Sequence, residues 1–159
     1  MKNLFLTLTF ICLVSFSISA QINTDKQAID TINWLIENPQ IESDSLFVSK
    51  SANLIKWQFI NHPNSPMIFS GLSEFMDNTP SEYKLYKEIS VIYMFSTFTN
   101  KIENKNYSEK KSSFYAIQDV LNYYQKALEI DSQVRNEVLD SYLSFSDKEL
   151  KKKMNKLNN

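Results

Sequence analysis

The residue types that most often carry chemistry are nearly absent from this chain. It has one histidine, one cysteine and one glycine: His62, Cys12 and Gly71. A zinc or copper site needs several converging imidazole or thiolate ligands, and a single pair cannot supply them. No D-x-D-x-D-G loop is present for calcium. One glycine also excludes the phosphate-cradling G-x-x-x-x-G-K-[ST] loop and the dinucleotide fingerprint. The sequence "FSGLSE" around Gly71 lacks the first glycine and the preceding strand of a nucleophile elbow; Gly71 fits a close helix contact better. Glu42 with Asp44 is a carboxylate pair, but it stands just before a helix start, where acids complement the macrodipole. His62 lies in "WQFINHPNSP". The residue before a proline is pushed out of helical backbone, so Asn61-His62-Pro63 reads as a helix end, with the imidazole placed to meet the last carbonyls. No catalytic residue, metal or cofactor is expected, and an enzyme is the least supported class.

A recognition surface has better support. Tyr86, Ser90, Tyr93, Thr97 and Asn100 follow one another at steps of four, three, four and three. They form an uncharged, polar and aromatic stripe on one helix. Tyrosine offers large contact area with a hydrogen-bonding tip, which suits a protein or peptide partner. The same pattern also suits a helix–helix seam whose hydroxyls are satisfied internally. Trp34 and Trp57 both fall off the main apolar faces of their helices. Each either packs on a neighbouring helix or marks an exposed anchor.

The elements that must position these residues are helical. Tight hairpins want glycine at positive φ, and a chain with one glycine builds few of them. Start signals are legible at Thr79-Pro80-Ser81-Glu82 and Ser146-Asp147-Lys148-Glu149, with weaker ones at Ser65-Pro66 and Ser108-Glu109. Helices are expected over about 25–37, 45–61, 66–77, 80–101, 109–130, 132–144 and 147–157. The first buries Ala28, Ile32, Leu35 and Ile36 and stops at Asn38-Pro39. In the second, Val48, Ala52, Ile55 and Phe59 form the inward stripe, with Phe47 and Leu54 alongside. The fourth is apolar nearly all round from Ile89 to Phe98, the mark of a central helix. Short connections make successive helices antiparallel neighbours. The fold class is all-α: a single-domain bundle or a short stack of antiparallel helical hairpins, with six to seven helices.

The first twenty residues, MKNLFLTLTFICLVSFSISA, join a lysine, an apolar run and small residues. That pattern is a secretory signal peptide, its run too short to span a bilayer. Cleavage is expected between Ala20 and Gln21, leaving an all-α domain over 21–159 that is periplasmic or secreted. Cys12 falls inside the leader, so no disulfide is expected despite an oxidising destination. The chain carries a formal net charge of −1. Lys148, Lys151, Lys152, Lys153 and Lys156 form a basic end; they suit the last turns of a solvated helix better than a nucleic-acid footprint. No stable membrane insertion is expected after the leader is removed.

Two likenesses add to this. "YYQKALEID", Tyr123 to Asp131, resembles the second helix of a tetratricopeptide repeat, with Tyr124 and Ala127 at its large and small packing positions; "NKNYSEKK" upstream departs from that repeat's first helix. "INWLIENP", "ANLIKW", "PMIFSGL" and "VLNYYQKAL", in that order, resemble a family of small secreted helical proteins from Gram-negative bacteria with no assigned activity. That resemblance implies export and an α-helical fold, and no functional residue. The expected function is a non-enzymatic extracytoplasmic interaction module. The alternative is a periplasmic carrier or holdase for hydrophobic ligands, with its cavity among the aromatics of the fourth and fifth helices.

Overall fold

A computed structural model describes residues 21–39, 45–65 and 68–158 of the chain. The leader, Ala20, Glu42, Asp44 and Pro66 lie outside the described residues. Among those described, the protein is all-helical, with seven α-helices and two 3₁₀ turns: α1 (Asp25–Glu37), α2 (Ser45–Asn61), a 3₁₀ turn (Ser70–Leu72), α3 (Ser73–Asn78), α4 (Tyr86–Glu103), α5 (Glu109–Ile130), a 3₁₀ turn (Ser132–Val134), α6 (Glu137–Leu143) and α7 (Asp147–Leu157). No described helix is long and apolar enough to cross a membrane.

The centre is α4. Every residue from Ile92 to Thr99 is buried, as an all-round apolar helix requires. The link 104–108 turns the chain back, so that α5 packs along α4, and α1 lies against both. On α5, Ala116, Val120, Tyr123 and Ala127 form one fully buried stripe and Ile117, Leu121 and Tyr124 a second buried one beside it. Helix α7 and the Ser70–Leu72 turn close the far side of α5. There Gly71 earns its place through contact. A Cβ at Gly71 would stand 2.3 Å from the Tyr93 hydroxyl and 3.2 Å from the Ser113 side chain. Any larger residue would collide with the α4–α5 seam.

Three helix starts follow local chemistry. Ser146 and Glu149 form the capping box of α7, Ser108 accepts from the Lys111 amide, and Thr24 makes a second capping box with Gln27. The Thr79-Pro80 start behaves differently. Residues 80–85 form successive turns and α4 begins six residues past Pro80, at Tyr86. Tertiary bonds explain it: Thr79 accepts a 2.9 Å bond from the Asn136 side chain, and the Tyr83 hydroxyl donates to the Val134 carbonyl at 2.7 Å. These hold the segment across the bundle and outweigh a local capping preference. Likewise the region expected as one helix from 132 breaks at Asn136, whose backbone is extended and whose side-chain Oδ1 caps α6 by accepting from the Val138 and Leu139 amides. The third helix is shorter than expected, with a 3₁₀ turn preceding α3.

Candidate functional site

Helix α2 sits at the edge of this frame, with α1 as its main backbone neighbour. At about 100° per residue, its apolar positions separate into two faces roughly a third of a turn apart. One face carries Phe47, Leu54 and Trp57, all buried. The other carries Val48, Ala52, Ile55 and Phe59, the stripe expected to point inward. It points outward instead: Val48 is 66% exposed and Phe59 61%, with Ile55 and the neighbouring Ile60 also exposed. The reason is competition. The bundle has room for one face of α2, and the face bearing Trp57 fills more of it. The indole stacks edge-on against Phe98 of α4 at 5.4 Å and against His62 at 5.1 Å.

The aromatic stripe of α4 is mostly interior. Tyr93 and Thr97 are buried, and burial pushes the Tyr93 hydroxyl pKa up. Thr97 donates to the Tyr93 carbonyl at 2.9 Å, Ser90 to the Tyr86 carbonyl at 2.7 Å, and Asn100 to the Ser96 carbonyl at 2.8 Å. Each of these side chains therefore spends a hydrogen bond on its own helix. Tyr86 is half-buried, its ring 5.5 Å from that of Phe75. The middle of the stripe is thus buried between helices, although the Tyr93 hydroxyl there has no hydrogen-bond partner.

Trp57 is buried, so it is no exposed anchor. Trp34 is half-buried on α1, in a cleft of about 280 Å³ shared with Ile22, Asp30 and Lys50, whose ammonium lies 4.5 Å from the indole centroid. That contact is a cation–π pair joining α1 to α2.

His62 does mark a corner. Its amide donates to the Gln58 carbonyl at 2.8 Å just past the end of α2. Its ring does not meet the helix carbonyls; the Asn61 side chain takes that role on Trp57. The imidazole Nε2 instead lies 3.1 Å from Asp25 at the start of α1, and the ring packs 5.0 Å from Phe98. The histidine thus ties three helices together. Among the described residues no group of three or more His, Cys, Asp or Glu is placed to hold a metal.

Other polar clusters are structural. Glu74 accepts from Tyr142 at 2.6 Å and pairs with Lys153 at 2.5 Å. Burial works against its charge, but those two partners hold its carboxyl below the ordinary range. Tyr124 accepts from the Asn136 amide at 2.8 Å and donates to Asp140 at 2.9 Å; burial, first, and that carboxylate raise its pKa to about 12. These groups bolt α3, α5, α6 and α7 together.

The outer side of α2 therefore carries four of the exposed large apolar residues, Val48, Ile55, Phe59 and Ile60, on one helix, and packing leaves them unexplained. The signal for it was present in the sequence: α2 has more apolar positions than one buried face needs. No family model, curated protein or solved structure matches the chain.

Proposed function

We propose that this protein is a non-enzymatic, extracytoplasmic interaction module whose contact face is the outer stripe of α2, and that its partner is another protein of the cell envelope. The observation that carries this reading is the outward placement of Val48, Ala52, Ile55 and Phe59 at helical spacing. Scattered exposed apolar residues are ordinary, but a contiguous stripe marks an association site. Burying side chains of this kind gains roughly 1.5–3 kcal/mol each when complete. A phenylalanine near the end of the stripe supplies the sort of aromatic anchor that dominates interfaces. The alternative, a carrier with its cavity among the aromatics of α4 and α5, has less support, because Tyr93, Phe95, Tyr123 and Tyr124 are fully buried against one another's helices. Export rests on the leader-like run at 4–14 and on the likeness to small secreted helical proteins.

Site-specific photo-cross-linking tests the reading. With benzoylphenylalanine at position 59, irradiation in the native envelope should give a discrete protein adduct. Placed at the exposed Gln125 of α5, the same group should give none. Val48→Ser with Ile55→Ser should abolish the adduct at 59 while leaving helicity and melting temperature unchanged. Equal adduct yields at 59 and 125, or none at 59, would refute it.

A further inference from the structure

Helix α7 turns its apolar side, Leu150 and Met154, into the bundle. Its outer side is lysine: Lys148, Lys151, Lys152 and Lys156 are all exposed. At about 100° per residue they fall within an arc of roughly 140°. The macrodipole favours cations only near a helix C-terminus, which accounts for Lys156 but not for Lys148 in the first turn or Lys151 in the middle. The spacing is also unfavourable within the helix, because lysines three or four positions apart repel. The two acids of α7 are engaged elsewhere: Asp147 accepts from Gln118 of α5 at 3.3 Å, and Glu149 from the Ser146 amide at 2.9 Å. Among the described residues Lys148, Lys151 and Lys152 form no salt bridge, whereas Lys153 pairs with Glu74. Nor is this general basicity, since residues 21–83 hold three lysines against eight acids.

We infer that the outer face of α7 is a peripheral docking surface for an anionic phospholipid bilayer, with its four lysines on the headgroups and Phe145 entering the interface beside them. Phe145 stands just ahead of the helix and is exposed, although its ring lies 6.0 Å from that of Tyr142. With Lys152 and Lys156 it lines an open depression of about 460 Å³. That neighbourhood favours a bilayer over a soluble polyanion. A lysine lays its hydrocarbon stem along apolar surface while its ammonium stays with charge, and an aromatic ring gains only where hydrocarbon receives it. The apolar side of α7 stays in the bundle, so the helix adsorbs by charge and does not insert its own hydrophobic face. Attraction of this kind is local, because it fades within about 10 Å at ordinary salt. The lysines must therefore lie on the face that touches lipid. This inference does not depend on the outer stripe of α2.

Vesicle sedimentation of the protein purified from its cell envelope tests this. Each lysine at an anionic surface raises partitioning about fivefold, and four together correspond to half-binding at about 1 mM accessible lipid. Vesicles of mixed phosphatidylcholine and phosphatidylglycerol should capture the protein at that level in about 0.1 M salt. Pure phosphatidylcholine should capture at least about tenfold less. Salt of about 1 M, which screens charges beyond roughly 3 Å, should release it. Lys151→Gln with Lys152→Gln should weaken binding about 25-fold at unchanged helicity, because glutamine and lysine have similar helix propensities. Lys56→Gln with Lys87→Gln removes the same charge from exposed positions on α2 and α4 and should change binding by less than about twofold. Phe145→Ser should weaken vesicle binding by about two- to fivefold and leave binding to soluble polyphosphate unchanged. The inference is overturned if neutral and anionic vesicles bind alike or if the Lys151 and Lys152 variant binds as the unaltered protein does. It falls equally if the Lys56 and Lys87 variant loses as much, or if a folded Phe145→Ser protein keeps full vesicle binding.

Discussion

Helices α2 and α5 carry equally regular apolar patterns, and the bundle uses them in opposite ways. Both stripes of α5 are buried, because α4 and α1 cover one side while α7 and the Ser70–Leu72 turn cover another. Of the two stripes on α2, only the one bearing Trp57 is covered. Periodicity reports which residues share a face of a helix. Which face turns inward depends on what the rest of the chain has to offer it.

Single substitutions can break this contrast, and the centre should give the largest effect. Phe95 on α4 is fully buried. Replacing a core phenylalanine by alanine forfeits its transfer free energy and leaves a cavity that closes only in part. Phe95→Ala should therefore lower unfolding stability by about 3–5 kcal/mol in urea titrations. A loss below about 1 kcal/mol would mean that α4 is not the centre of the bundle.

The same asymmetry decides what could be read from residues alone. The all-α class, the buried face of α1 and the capping box at Ser146 depend on composition and on neighbours within a turn or two, so they are visible in the sequence. The start of α4 depends on Asn136 and Val134, far along the chain, and local capping rules cannot see them. The burial of Tyr93 under Gly71 was hinted at by a lone glycine, but its partner was not. The outer stripe of α2 is visible in the sequence, but its direction is not, because that depends on which face the rest of the bundle covers. Trp57 looked displaced from that stripe because it lies on the face that the fold actually buries.

A smaller effect tests the α4–α5 seam through its charge. Burial, with repulsion from Glu103 and against the opposing Ser96 hydroxyl, pushes the Asp119 carboxyl from its ordinary 3.8 up to about 6. A carboxyl whose pKa is higher folded than unfolded favours folding in its protonated form. Asp119 therefore weakens the fold at neutral pH, and this penalty is relieved as pH falls from about 7 towards 4. Glu88, also raised by burial, acts in the same direction. Glu74 acts oppositely: its lowered pKa makes a contribution that is present above the ordinary carboxylate pKa and is lost as pH falls below it. Asp119→Asn should raise stability at pH 7 by about 1–3 kcal/mol and flatten the rise between pH 7 and 4, as followed by thermal melts across that range. An unchanged pH profile would show that Asp119 is solvated.

The smallest expected change is the most informative about α2. Phe59 keeps most of its surface in water after folding, so folding gains little from it, whereas Phe95 gives up all of its exposure. Serine and phenylalanine have similar helix propensities, and so do serine and valine; the local helix should not object to Phe59→Ser or Val48→Ser. Each change should therefore shift unfolding stability of dilute protein by less than about 0.5 kcal/mol, as at other surface sites. A loss well above that, constant with protein concentration, would mean that the chain itself covers the stripe. A loss that grows with concentration would mean that a second copy covers it. In either case the stripe would count as core or self-association surface, and the contrast with α5 would disappear. Only near-neutrality leaves an apolar face that the fold does not need, and such a face has to be explained by what it binds.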